Sequence, residues 1–322
     1  MKTIAAIFLL MLSLALPCAS AATLPGIPEF IDEMVAKHRF KREELENVFA
    51  HAQHRPEIIE AISRPATIKP WPEYRAAFVN RQRIKRGLEF WHKYRNTLRR
   101  AEKQYGVPQE IIVALIGVET IYGENIGKFR VLDALTTLAF DYPRRASFFR
   151  GELENYLLLA REQEFDLLAV RGSYAGAIGI PQFMPDSYRN YAVDFNGNHK
   201  TDLLHEARDA IGSVANYLKG YGWVSGEPVA VRAQISGEVC HGAINAARTL
   251  AGWAEDGITP GTKLPQELTA RLIDFTVEDG KEFWLAFENF RIITLYNNSD
   301  FYAMSVFQLA EELKAARASS SK

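Results

Sequence analysis

Apolar positions recur at helical spacing over most of the chain. Phe30, Ile31, Met34 and Val35, then Leu45, Val48 and Phe49, mark short helices between residues 28 and 54. A proline-punctuated loop occupies 64–72. Residues 74–105 read as one long helix carrying Phe78, Ile84, Leu88, Trp91, Tyr94 and Leu98, weakened at Gly87. Further helices are predicted over 131–140, 146–162, 186–191 and 207–221. The period changes at Gly226. Residues 229–233, 271–277, 282–287 and 291–296 are short runs rich in β-branched and aromatic side chains, and they read as strands. Residues 301–315 return to helix, and no internal repeat is visible. The pattern predicts a mainly α (α+β) chain: a leader over 1–21, an α-helical body over 22–225, a small strand-containing lobe over 226–290, and a return to the body over 291–322.

The organising stretch is 107–123, VPQEIIVALIGVETIYG. Pro108 suits the first turn of a helix, where its missing N–H would be unpaired anyway. From Ile111 to Val118 nearly every residue is apolar, so this helix is expected to be buried all round. One carboxylate, Glu119, stands near its end. Helical spacing places Leu115, Ile116 and Tyr122 beside it. Such surroundings desolvate the charged form and raise the pKa. An acid protonated near neutral pH can protonate a glycosidic oxygen. A structural Glu, paired with an Arg or ending the helix in water, is the alternative.

Composition narrows the class. With 322 residues, 48% hydrophobic and 24% charged, the chain is an ordinary globular protein. A formal net charge of −1 argues against a nucleic-acid partner, and the local basic run at 81–86 reads as a solvated helix face. The N-terminus has the form of a secretory signal: Lys2, an apolar centre over 4–16, and the Ala19-Ser20-Ala21 cleavage pattern. Pro17 before Cys18 departs from the small residues that precede a bacterial lipidation cysteine. A soluble, periplasmic mature chain starting near Ala22 is therefore expected, rather than one lipid-anchored at Cys18. Cleavage leaves Cys240 as the lone thiol, so no intrachain disulfide is available. Cys240 beside His241 reads as a packed residue rather than a nucleophile.

Two loops carry further chemistry. Residues 171–185, RGSYAGAIGIPQFMP, form a non-periodic turn whose small residues let a ligand approach the backbone. Ser173 and Gln182 offer neutral hydrogen-bonding groups that suit sugars. The absence of a Gly-Lys-Ser/Thr ending removes a phosphate-loop reading. Residues 194–202, DFNGNHKTD, echo a calcium loop, with oxygens from Asp194, Asn196, Asn198 and Asp202 and the carbonyl of Lys200. His199 replaces the turn glycine, and His205 stands where a bidentate acid belongs.

Taken together, Gly117-Val118-Glu119-Thr120, Ser173-Tyr174-Ala175-Gly176-Ala177-Ile178-Gly179 and Pro181-Gln182-Phe183-Met184-Pro185 resemble the B-type lytic murein transglycosylases. Residues 209–217 and 295–304 extend the resemblance, which covers most of the mature chain. It implies a lysozyme-like α-helical catalytic domain that cleaves the β-1,4 bond between N-acetylmuramic acid and N-acetylglucosamine, leaving 1,6-anhydromuramic ends. Glu119 would be the lone catalytic acid/base and Ser173 would orient the muramoyl N-acetyl group. Gln182, Tyr296, Asn297 and Tyr302, joined by Tyr74, would line the sugar subsites. No cofactor is required on this reading, and the 194–202 loop is a candidate for one structural calcium ion. The expected partner is the peptidoglycan glycan strand, bound by a monomer; cell-wall synthesis or division proteins as partners are not legible in the chain. Two rivals stand beside it. A hydrolytic muramidase would need a water-activating base, for which Asp133, Asp141 and Asp186 are available. A peptidoglycan-binding scaffold would need no turnover.

Overall fold

The computed structural model describes residues 24–64, 69–237, 239 and 241–320; the expected signal peptide, Cys18 and Cys240 lie outside the described residues. Helices α1 (Ile27–His38), α2 (Arg42–His51) and α3 (Pro56–Ser63) open the body. The long helix expected over 74–105 is instead three: α4 (Trp71–Phe78), α5 (Arg81–Lys93) and α6 (Arg95–Tyr105). Asn80 ends the first by capping the second, its side chain accepting the Arg83 N–H at 3.0 Å. Tyr94, at φ −107° and ψ 20°, separates the second from the third.

Helix α7 (Gln109–Thr120) is the organising element. Ile111 to Val118 and Thr120 are all buried. A helix apolar on every side needs neighbours on every side, and α7 is packed by α5, α6, α11 (Ala207–Gly220) and α14 (Asp300–Ser320). Helices α8 (Val131–Asp141), α9 (Ala146–Gln163) and α10 (Pro185–Tyr191) complete the body. Two short strands, β1 (Phe129–Arg130) and β2 (Arg171–Gly172), pair antiparallel at the mouth of the glycine-rich loop.

The lobe is a five-stranded antiparallel sheet of β3 (Ala230–Ile235), β4 (Ala247–Thr249), β5 (Ile258–Pro260), β6 (Thr269–Val277) and β7 (Gly280–Ala286), in the order β4-β6-β7-β3-β5. Alternation along the strands gives it two packed faces. Leu272 and Leu285, paired in register, join Trp253 of α12 (Leu250–Glu255) in a small separate core. The next pair, Ile273 and Trp284, belongs to the core of the body. Phe275 meets Trp71 of α4 with centroids 4.5 Å apart.

The fourth expected strand, 291–296, is not one. It is the end of helix α13 (Glu288–Tyr296). Its Ile292-Ile293-Thr294 run has strand-like composition, but Phe290, Ile292 and Ile293 are all buried and packing against α14 decides the outcome. Asn289, fully buried, anchors the first turn. Its Oδ1 accepts the Val224 N–H, and its Nδ2 donates to the Val224 and Glu227 carbonyls, each at 2.9 Å.

One side chain wedges the body together. Tyr122 lies between α5 and α7, and its hydroxyl donates to the Arg83 carbonyl at 3.0 Å. A Cβ at Gly117 would stand 2.5 Å from that hydroxyl, and one at Gly87 would stand 2.4 Å from it. Gly117→Ala should therefore destabilise the protein by about 1–3 kcal/mol through overpacking. Thermal unfolding measures this; an unchanged melting temperature would show that the wedge has slack.

Candidate active site

Helix α7 ends abruptly. Ile121 and Tyr122 both adopt left-handed backbone, at φ 53° and 64°. A β-branched residue such as Ile121 rarely does so. Their N–H groups bond back to the Gly117 and Ile116 carbonyls, closing the helix end. Glu119 is thereby held in the last turn of the helix, half-buried.

The company of Glu119 comes from across the chain. The Tyr302 hydroxyl, on α14, donates to Glu119 Oε1. Arg83, whose Nη1 donates to the Gly117 carbonyl, adds a positive charge nearby. Tyr74, Tyr217 and Tyr296 are close enough that the Glu119 charge helps to raise their phenol pKa values, after burial. Burial is the largest influence on Glu119 itself and pushes its carboxyl up to about 7; the Tyr302 hydrogen bond and Arg83 pull it back. The expected cause was therefore right in kind. To the Leu115, Ile116 and Tyr122 that helical spacing points to, the fold adds the Tyr302 hydroxyl in direct contact and the phenols of Tyr74, Tyr217 and Tyr296 within electrostatic reach.

The glycine-rich loop is tied to that helix end. Thr120, fully buried, donates its hydroxyl to the Ile180 carbonyl at 2.8 Å and accepts the Gly123 N–H at 2.9 Å. Tyr296 donates to the Pro181 carbonyl. Gly179, at φ 74°, lies so close to Leu203 that a Cβ would approach its carbonyl oxygen to 2.3 Å. Within the loop, Ser173 Oγ accepts the N–H groups of Ala175 and Ala177 at 3.2 and 3.0 Å. Its own proton is left to donate outward. Gln182 Nε2 donates to the Ile126 and Gly179 carbonyls, which leaves Oε1 as its group for a ligand.

The expected sugar-lining residues thus divide. Tyr74, Ser173 and Gln182 keep partial exposure, and Asn297 is exposed just past α13. Tyr302 is only 3% exposed and spends its hydroxyl on Glu119; its contact is with the acid. Tyr296 stacks on Tyr302, with centroids 6.5 Å apart and planes at 13°, and spends its hydroxyl on the loop. Arg83, Thr120 and Tyr217 were not singled out by sequence reasoning. Thr120, next to Glu119, was the one within reach of a local signal.

The three candidate bases are engaged elsewhere. Asp133, 1% exposed, pairs with Arg130 at 2.8 Å through both oxygens and accepts the Gln53 N–H. Asp141 bonds His54 at 2.8 Å, and Asp186 accepts from Asn190 at 2.9 Å. Among the described residues, no second carboxylate figures among the groups acting on Glu119.

In the 194–202 loop the side-chain oxygens face backbone. Asp194 accepts from Gly197, Asn198 and His199, Asn196 from Asn198, and Asn198 from Lys200. Buried Asp209 holds the loop from inside through the N–H groups of Phe195, Asn196 and Asp202. His205 Nδ1 lies 3.1 Å from Asp202 Oδ2. Among the described residues, no three His, Cys, Asp or Glu side chains converge on one point. The donor set is all oxygen, as a hard divalent cation requires, but it offers only two carboxylates.

Known proteins resemble the chain over nearly its whole length. The family model described as "Transglycosylase SLT domain" matches residues 24–311. Membrane-bound lytic murein transglycosylase B of Escherichia coli (strain K12) is 42% identical over 306 residues, 92% of this chain and 84% of that protein. The crystal structure of the soluble lytic transglycosylase SltB1 from Pseudomonas aeruginosa superposes with a TM-score of 0.86 at 47% identity, covering 91% of this chain and all of that one. The 2.1 Å structure of the Escherichia coli lytic transglycosylase Slt35 in complex with calcium gives the same TM-score at 42% identity, over 92% and 95% of the two chains. No helix among the described residues is long and apolar enough to cross a membrane.

Titration of Glu119 tests these influences. Its side-chain carbon signal should titrate near 7, and Tyr302→Phe should move the midpoint higher, because a hydrogen bond to the charged form is lost while burial remains. An unmoved or lower midpoint would remove Tyr302 from that role. The sign for stability follows. A carboxyl raised in the fold costs nothing below its unfolded pKa of about 4.5 and costs progressively more as pH rises towards 7. Glu119→Gln should therefore match the parent melting temperature in acid and exceed it above neutrality.

Proposed function

Because the chain belongs to the Transglycosylase SLT domain family, whose relatives are lytic transglycosylases acting on peptidoglycan, we propose that Glu119 alone carries both proton transfers of such a reaction. The observation that supports this reading is the Glu119 carboxyl, pushed up to about 7, on which the groups that act are the Tyr302 phenol and the Arg83 guanidinium, with no second carboxylate among them. Tyr302 donates to Oε1, so Oε2 is the oxygen that holds the transferable proton.

The reaction then runs as two transfers at one atom. Glu119 protonates the oxygen between C1 of N-acetylmuramic acid and the next N-acetylglucosamine, and the C1–O bond breaks. The N-acetyl oxygen of the same muramic acid stabilises the positive charge on C1, held in place by the outward proton of Ser173. Glu119, now a carboxylate, takes the proton from the C6 hydroxyl, whose oxygen bonds to C1. No water is consumed, and the product ends in 1,6-anhydromuramic acid. This is substrate-assisted chemistry, outside the two-carboxylate rule. The tethered C6 hydroxyl has an effective concentration that a loosely held water lacks. Tyr74, Gln182 and Asn297 are read as sugar-facing groups, and Tyr296 and Tyr302 as positioning residues behind them.

A wall substrate places the working protein outside the cytoplasm, in keeping with the export signal read over 1–21. The 194–202 loop is read as a weak calcium site. Asp194, Asn196, Asn198 and Asp202 would give side-chain oxygens and Lys200 its carbonyl; the ion would cross-link the loop and take no part in proton transfer.

Digests of purified sacculi should yield muropeptides one water lighter than hydrolytic products and inert to borohydride. Glu119→Gln should lower the rate by about 100-fold or more. Mainly reducible ends would hand the reaction to a hydrolytic muramidase. On chelated protein, added calcium should raise the melting temperature modestly, and Asp194→Ala should abolish the rise. No shift in the parent protein would identify the loop as a plain Asx-turn structure.

A further inference from the structure

Helices α5 and α6 concentrate the positive charge of the molecule. Between Arg81 and Tyr105 stand nine Lys and Arg against two Glu, whereas the whole chain carries 38 Lys and Arg against 39 Asp and Glu. The remainder of the chain is therefore net acidic by eight charges. Arg95, Arg99 and Lys103 follow one another at four-residue spacing on α6, as do Arg81 and Lys85 on α5, and all five are exposed. Like charges at that spacing weaken a helix. Carboxylates do not relieve them. Arg95 donates to the His92 carbonyl at 3.3 Å, and Arg99 to Asn96 at 2.6 Å and the Arg95 carbonyl at 3.4 Å. Among the described residues, Arg86 with Glu124 is the ion pair that these two helices form.

The basic face begins beside the end of α7. Arg83 is bonded to the Gly117 carbonyl at the end of the catalytic helix, and Arg86 pairs with Glu124, just past it. Helix α5 runs back along α7 to Trp91, whose Nε1 donates to Gln109 at the far end of that helix at 2.8 Å, and α6 follows, packed on α7 and α11. A polymer held at Glu119 and running back along α5 to α6 would meet a positive surface. Peptidoglycan supplies the complementary chemistry, because its peptide stems end in carboxylates at every few sugars. We propose that the α5–α6 face is a remote docking surface for the carboxylates of peptide stems, holding the wall polymer while Glu119 acts on one bond. This rests on the reading of the substrate as peptidoglycan.

The test separates docking from turnover by measuring sedimentation with purified sacculi in a Glu119→Gln background, where the wall is not digested. Arg95→Glu, Arg99→Glu and Lys103→Glu together should weaken binding by roughly tenfold at low ionic strength, and the difference should vanish at high salt. The corresponding Gln triple variant, with its melting temperature as a check on folding, should fall between. Glycan strands stripped of peptides should bind the parent and the charge-reversed protein alike. Equal binding of both proteins to intact sacculi would overturn the proposal, as would an equal loss on peptide-free strands. A loss confined to phosphatidylglycerol vesicles, with sacculus binding intact, would assign the face to a membrane and overturn it too. Failure to form anhydro ends would instead count against the mechanism, since sedimentation needs no turnover.

Discussion

The hydrogen bond from Tyr302 to Glu119 is the interaction on which the site depends. A carboxylate near the end of an all-apolar helix is disfavoured twice, by lost hydration and by the negative end of the helix dipole. Tyr302 and Arg83 offset part of that cost without removing it, which is why the carboxyl stays raised. The two hydrogen-bonded residues are far apart in sequence. Helix α14 must be docked along α7 before Tyr302 reaches the acid, so the site is complete only when the last helix has returned to the body. The strand lobe, which precedes that return, is tied at its base by the buried Asn289 and its bonds to Val224 and Glu227.

The same helix end governs the glycine-rich loop. Left-handed backbone at Ile121 and Tyr122 costs energy and persists because the surroundings over-determine it. Tyr122 is fixed by the Arg83 carbonyl and by the close approach of Gly87 and Gly117. Thr120, one residue earlier, holds the Ile180 carbonyl, and Tyr296 holds Pro181. Ser173 and Gln182 have spent most of their hydrogen-bonding capacity inside the loop. Each therefore presents one group outward, a donor from Ser173 and an acceptor from Gln182.

Local pattern carried much of this. The apolar run of α7 with its single acid stood out, as did the boundaries of α8, α9 and α11 and three of the sheet strands. What failed had separate causes. Ile292 and Ile293 have strand composition but lie in α13, where helix packing outweighs propensity. One long helix became three because the Asn80 cap and the Tyr94 break are short-range signals hidden inside a continuous apolar pattern. The strands β4 and β5 have three residues each, too few for alternation to register. The long-range partners of Glu119 could not be read from spacing, since Tyr302 bonds it from α14 and the phenols that feel its charge stand on α4, α11 and α13. Resemblance to known sequences supplied Tyr74, Tyr296 and Tyr302; it did not say that two of them spend their hydroxyls inside the protein.

The choice of phenols over a second acid bears on the chemistry. One group that must first give a proton and then take one works best with a pKa near the working pH, so that both forms are accessible. A second carboxylate close by would split the pair, leaving one ionised and the other protonated, and would divide the two roles between them. Tyrosines whose own pKa is raised by burial stay neutral throughout. Tyr302 orients the carboxyl, and Tyr296 stacks behind it, without adding a charge that changes as the acid titrates. Arg83 supplies a fixed opposing charge that favours the ionised form of Glu119. A lone acid among neutral phenols is thus suited to acting twice on one sugar, which is the requirement of a cleavage that closes a ring and takes up no water.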